Sequence, residues 1–177
     1  MTEQEKTEAV QVNILALVED QLNGSPILLL HDPKKNRILP IWIGETEACA
    51  ISIAINKTVT PRPLTHQLLL NSVSAMGGKL THAIIDRLVK NTYYATLIVQ
   101  SGEKVVQIDS RPSDAVAIAL LAAVPLFVSS EIMLTASQPN PFPGFSQQQT
   151  KREMTPADLE NLKGLLDVAR EREQKSA

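Results

Sequence analysis

The sequence predicts an α+β domain, a mostly antiparallel sheet made of two related β-β-β-α halves with core helices packed on it, plus a C-terminal helix after a linker. Three observations carry this. Short apolar segments alternate with polar, turn-forming residues; two helical segments are apolar almost all round; and the junctions leading into those two helices resemble each other.

Val10, Val12, Ile14, Ala16 and Val18 alternate with Gln11, Asn13 and Glu19, the period of a half-buried strand. Asn23-Gly24-Ser25-Pro26 turns the chain into a second strand, Ile27 to Leu30, and Asp32 to Asn36 turns it into a third, Ile38 to Ile43. Gly44-Glu45-Thr46-Glu47 then leads into Ala48 to Ile55, where Ser52 alone interrupts an apolar helix. This reads as a core helix, with Cys49 a packed thiol.

After the loop Asn56 to Pro63, the apolar positions Leu64, Leu68, Leu69, Val73 and Met76 fall at helical spacing, with Thr65 the expected N-cap and Gly77-Gly78 the stop. Leu80 to Val89, Tyr93 to Val99 and Lys104 to Ile108 are three more strands. Pro112 suits the first turn of a helix, where a missing N–H costs nothing, and Ser113 and Asp114 complement the helix dipole. The nine residues from Ala115 to Ala123 are all apolar and far short of the ~20 that span a bilayer, so they form a second core helix. Pro125 ends it, Leu126 to Val128 makes a short strand, and Ser129-Ser130-Glu131 can cap a further helical turn.

Ile43 to Ile51 aligns with Ile108 to Ile118 once two residues are inserted: Glu47 matches Asp114, Ala48 matches Ala115, Ala50 matches Ala117 and Ile51 matches Ile118. Three strands precede each junction. An internal duplication accounts for this, with the Leu64 to Met76 helix joining the halves. The domain is expected over residues 10–135, after a disordered stretch over residues 1–9. Residues 136–152, rich in Gln, Pro and Ser, read as a linker, and residues 153–174 as an amphipathic helix with Thr155 as N-cap and Pro156 at N1.

Composition bounds function. The 177 residues are 44% hydrophobic with a net charge of −2, so no excess of basic residues advertises a tight nonspecific polyanion binder. One cysteine excludes an internal disulfide and any multi-cysteine zinc site. The polar first eight residues contain no apolar core of a signal peptide, and the expected location is cytoplasmic, away from membranes.

The runs Leu39-Pro40-Ile41-Trp42-Ile43-Gly44-Glu45 with Glu47-Ala48, Arg62-Pro63-Leu64-Thr65-His66, and Asp109-Ser110-Arg111-Pro112-Ser113-Asp114-Ala115-Val116-Ala117 with Pro125 resemble the bifunctional nuclease domain family. The resemblance covers roughly Val10 to Leu134. It implies a compact α+β domain, hydrolysis of DNA and RNA, and a homo-oligomer, with a dimer the first expectation.

The residues permit that chemistry. Phosphodiester hydrolysis uses a carboxylate-held metal, or a histidine with a cation for the developing charge. Asp109, Asp114 and Glu47 can supply oxygen ligands to Mg²⁺ or Mn²⁺. Asp109, Arg111 and Asp114 form the best cluster, which Glu45 or Glu47 would join if the halves pack about a pseudo-twofold axis. Glu47 and His66 complete the catalytic candidates; Arg62, Arg111, Thr65 and Ser113 are the candidates for substrate contact. Each has a structural alternative: Asp114 can simply offset the helix dipole, Arg111 can lock the turn, and Thr65-His66 can begin a helix. The competing function is a non-catalytic homo-oligomeric interaction or regulatory module, which the scarcity of aromatic residues, 3%, also fits.

Overall fold

The structure is a computed structural model that describes residues 9–142 and 155–175. Among these, eight strands form one sheet: β1 (Ala9–Glu19), β2 (Pro26–Asp32), β3 (Arg37–Trp42), β4 (Gly78–Val89), β5 (Thr92–Ser101), β6 (Lys104–Ser110), β7 (Leu126–Ser129) and β8 (Gln138–Pro139). Five helices accompany it: α1 (Glu45–Ile55), α2 (Thr65–Ala75), α3 (Pro112–Ala122), α4 (Ser130–Ala136) and α5 (Pro156–Lys175). None is long and apolar enough to cross a membrane. The expected disorder of residues 1–9 falls outside the described residues except at Ala9, which begins β1.

The strand order is β6-β5-β4-β7-β1-β2-β3-β8. Every pairing is antiparallel except β4 with β7. The two meanders β1-β2-β3 and β4-β5-β6 therefore extend outward from β7 in mirrored order, with β1 and β4 running oppositely. That is the arrangement a twofold axis perpendicular to the sheet would give two copies of one unit. Their following helices, α1 and α3, pack on each other over one face of the sheet.

That face holds the main core: Val12, Leu28, Leu30, Leu39, Ile41, Ile85, Leu97 and Val99 from strands meet Ile51 and Ala115 to Ala119 from the helices. On the other face, α5 lays Leu162, Leu165 and Leu166 over Leu15, Ile27, Leu29 and Ile38. Coverage from both sides explains why β2 reads as the unbroken run Ile27-Leu28-Leu29-Leu30, with all four residues fully buried. Thr155 and Asp158 form a reciprocal cap at the start of α5: the Asp158 N–H donates to Thr155 Oγ1 at 3.2 Å, and the Thr155 N–H donates to Asp158 Oδ2 at 2.9 Å. The helix is latched by Arg170, which donates to buried Asp20, and by Gln138, whose Nε2 donates to the Leu165 carbonyl at 2.9 Å.

Three expectations are corrected. Only Ile51 and Ala54 of α1 are buried and Cys49 is exposed, because one side of this helix meets α3 and the sheet while the rest faces outward. No residue of α2 is buried, and its N-cap is Leu64 rather than Thr65, with no side-chain cap bond. Finally, the segment read as linker is structured at its start. Gln138 and Pro139 pair with β3, and Phe142 is 2% exposed under α5. Residues 143–152 of the expected linker lie outside the described residues.

Candidate active site

The site is built from the first turns of three helices. At the end of β6 the chain turns through Arg111, the N-cap of α3, with Pro112 at N1 and Asp114 in the first turn. A guanidinium at a helix N-terminus stands at the positive end of the dipole, which is electrostatically unfavourable. Two carboxylates hold it there. Asp114 takes Arg111 in a bidentate grip, Nε to Oδ2 at 2.7 Å and Nη2 to Oδ1 at 3.1 Å. Glu47, in the first turn of α1, accepts from Nη1 at 2.7 Å. The pseudo-equivalent acids of the two halves thus meet on one arginine.

The third helix contributes His66. Its Nε2 lies 2.9 Å from Asp114 Oδ1. Burial alone would raise the Asp114 pKa, but the hydrogen bonds from Arg111 and His66 outweigh it and hold the carboxyl below its ordinary range. An ionised carboxylate only accepts, so Nε2 of His66 carries the proton and donates it into this bond. Nδ1 has no partner among the described residues. Arg111 is held still more firmly in its cationic form, first by the hydrogen bonds to Asp114 and then by that to Glu47.

A guanidinium has five N–H donors. Arg111 directs three into this cluster, leaving two unengaged among the described residues, and its side chain is 64% exposed while Glu47, His66 and Asp114 are 20–25% exposed. The geometry is a cation braced from behind with its outer edge open, beside an imidazole with one free nitrogen.

The structure brings together Glu47, His66, Arg111 and Asp114 from the sequence candidates. Asp109 does not join them, although the sequence reading placed it in the best cluster. It faces Thr96 across the β5–β6 ladder, one residue out of phase with Ile108 and Ser110, which share the helix-covered face with Leu97 and Ala95. Its partner is Arg87 at 3.4 Å, which also meets Asp86 at 3.4 Å and lies 4.9 Å over the Tyr94 ring. Ser113 is 7% exposed, so its hydroxyl is not presented to a substrate. Thr65 and Arg62 are exposed, and the Arg62 guanidinium has no partner among the described residues. His82 is a structural residue: it is buried, 2.9 Å from Thr81 Oγ1 and edge-on to Phe127.

As a metal centre the residues do not fit. No three His, Cys, Asp or Glu side chains among the described residues are placed to hold an ion. Both oxygens of Asp114 and Oε1 of Glu47 already face a guanidinium, and Asp109 belongs to Arg87. The pairing the sequence reading missed is His66 with Asp114, 48 residues apart. The Glu47/Asp114 equivalence was the available signal that this end of the molecule converges.

Comparison with known proteins gives three results. A family model described as a bifunctional nuclease domain matches residues 28–141. An uncharacterized protein of Mycobacterium tuberculosis is 35% identical over 157 residues, covering 89% of this chain and 93% of that protein. "Bifunctional nuclease 1" of rice is 27% identical over 131 residues, covering 70% of this chain and 40% of its own length, and "Bifunctional nuclease 2" of Arabidopsis thaliana is 30% identical over 108 residues, covering 59% and 33%.

Proposed function

The chain belongs to the bifunctional nuclease domain family, and from that premise we propose that it hydrolyses phosphodiester bonds of DNA and RNA at the cluster of Glu47, His66, Arg111 and Asp114. The observation that carries this is the His66–Asp114 pair at 2.9 Å beside an exposed arginine with two N–H groups unengaged among the described residues.

In this reading Arg111 grips non-bridging phosphate oxygens and offsets the charge that grows on them as phosphorus becomes five-coordinate. His66 is the general base. Asp114 fixes its tautomer through Nε2, so Nδ1 takes the proton from an attacking water as the water oxygen bonds to phosphorus and the ester oxygen leaves. Solvent protonates the leaving oxygen and later receives the proton from Nδ1. Glu47 and Asp114 hold the guanidinium plane, and Arg62 and Thr65, exposed at the entry to α2, extend the contact to the next phosphate. Arg111, not Mg²⁺ or Mn²⁺, supplies the positive charge.

The test is cleavage of quenched single-stranded DNA and RNA oligonucleotides by highly purified protein. Turnover in EDTA that falls by about a hundredfold or more in His66→Gln supports the proposal. No turnover under any metal condition, or a fully active His66→Gln, refutes it; turnover only with Mg²⁺ or Mn²⁺ refutes the metal-free form.

A homo-oligomer, a dimer first, is part of the proposal. Among the described residues β6 is an open sheet edge with Val105, Val106 and Ile108 exposed, and Leu64, Leu68 and Leu69 are exposed at the N-cap and in the first turns of α2. The same apolar surface favours the second reading, a non-catalytic interaction module, which predicts assembly without cleavage.

A further inference from the structure

We propose that Gly44 is a positioning residue of the cluster: by carrying no side chain it leaves the space into which the Glu47 carboxylate folds, and through Glu47 it fixes the plane of the Arg111 guanidinium. Gly44 is the N-cap of α1, with φ −80° and ψ 164°. Those torsions are open to any residue, so the backbone does not demand glycine here. Space does. A Cβ built on Gly44 would overlap Oε2 of Glu47 and stand 3.3 Å from its carboxyl carbon. The same carboxylate reaches in the other direction, with Oε1 accepting from Nη1 of Arg111 at 2.7 Å. Glu47 can occupy this position only while residue 44 is bare.

The atom a methyl group would displace is the end of a flexible side chain, not backbone. Gly44→Ala therefore moves the carboxylate and leaves the helix start in place. Asp114 still holds Nε and Nη2 after that displacement. Arg111 stays beside Asp114, but its Nη1 loses the Glu47 brace and the guanidinium plane is less firmly fixed. The inference deepens the proposed function, because it rests on Arg111 as the phosphate-binding group.

The experiment is a cycle of Gly44→Ala, Glu47→Ala and the double variant in the full chain. The first readout is the side-chain Nε–H resonance of Arg111 in ¹⁵N-labelled protein, which needs no catalytic activity. Gly44→Ala and Glu47→Ala are expected to move it in the same direction, and the double variant to match Glu47→Ala alone. The second readout is KM and kcat on the oligonucleotide: KM should rise by about tenfold in Gly44→Ala and no further in the double variant. An unmoved Arg111 resonance in Gly44→Ala, or an equal extra change on top of Glu47→Ala, overturns the role. Glu47→Asp, which withdraws the carboxylate with Gly44 intact, must reproduce the resonance change; its failure to do so overturns the link through Glu47. A wild-type protein that cleaves nothing defeats the proposed function, while the resonance cycle still decides the role of Gly44.

Discussion

Arg111 concentrates the chemistry of this molecule. It occupies the position in α3 that least suits a cation, held by two acids and bordered by a histidine. Lysine keeps the charge but cannot offer the fork that grips Asp114 through two nitrogens while reaching Glu47 with the third. Arg111→Lys is therefore expected to lower kcat/KM on an oligonucleotide by about a hundredfold with the fold intact, since it removes one of the donors aimed at developing charge; steady-state kinetics with circular dichroism check both halves of that statement. Asp114 also links the site to stability. Its folded pKa lies below the unfolded one, because hydrogen bonds from Arg111 and His66 outweigh the effect of burial. The stabilisation it contributes is present above the ordinary carboxylate range near pH 4 and is lost as pH falls through the folded value. The stability gap between wild type and Asp114→Asn, measured by urea denaturation, should shrink from pH 7 toward pH 3. The residue types of the site were legible in the sequence, as was the kinship of Glu47 and Asp114. The grouping of Asp109 with them was not correct, and strand alternation explains it: a residue at an odd step from Ile108 points to the face away from the helices. The partnership of His66 with Asp114 depends on how α2 crosses α3, which no local pattern encodes.

At the scale of elements, α5 decides how the first half of the sheet is finished. Leu159, Leu162, Leu165 and Leu166 make one apolar stripe of this helix in the sequence, but the stripe does not name its target, because an amphipathic helix fits its own domain or a neighbour equally well. The structure answers through Asp20. This carboxylate is 1% exposed and accepts hydrogen bonds from Arg170, from the Trp42 indole at 3.1 Å and from the Leu22 amide at 2.9 Å. Burial raises its pKa, yet the Arg170 hydrogen bond and the two neutral donors bring it below the ordinary value. Removing the one cation leaves a buried charge with neutral donors only. Arg170→Ala should cost about 3 kcal/mol of unfolding free energy, and Asp20→Asn with Arg170→Ala together should cost less than the sum of the single changes. Equilibrium denaturation measures both. The two apolar helices differ in the other direction: α1 and α3 both carry the composition of core helices, yet only α3 is buried along most of its length. Periodicity reports that a face is apolar without saying what covers it.

At the scale of the whole molecule, the mirrored strand order about β7 is the consequence of the repeated junction seen in the sequence, and it explains why two acids from distant segments meet on one arginine. It also leaves two unlike ends. β3 is finished by the short strand β8, whereas β6 ends the sheet, with its outer edge unpaired among the described residues and Val105 59% exposed. An open edge of that kind invites pairing. Light scattering on the purified chain should give twice the 19.4 kDa monomer mass, and Val106→Lys with Ile108→Lys should return the monomer. The account as a whole depends most on His66 acting as a base under the control of Asp114. The measurement that tests this directly is the single-turnover cleavage rate of a short oligonucleotide in EDTA, followed from pH 5 to pH 9 for wild type and for Asp114→Asn. The account predicts an Asp114→Asn rate about tenfold or more below the wild-type rate throughout that range, because the imidazole loses the carboxylate that fixes its tautomer. Identical profiles for the two proteins would contradict it.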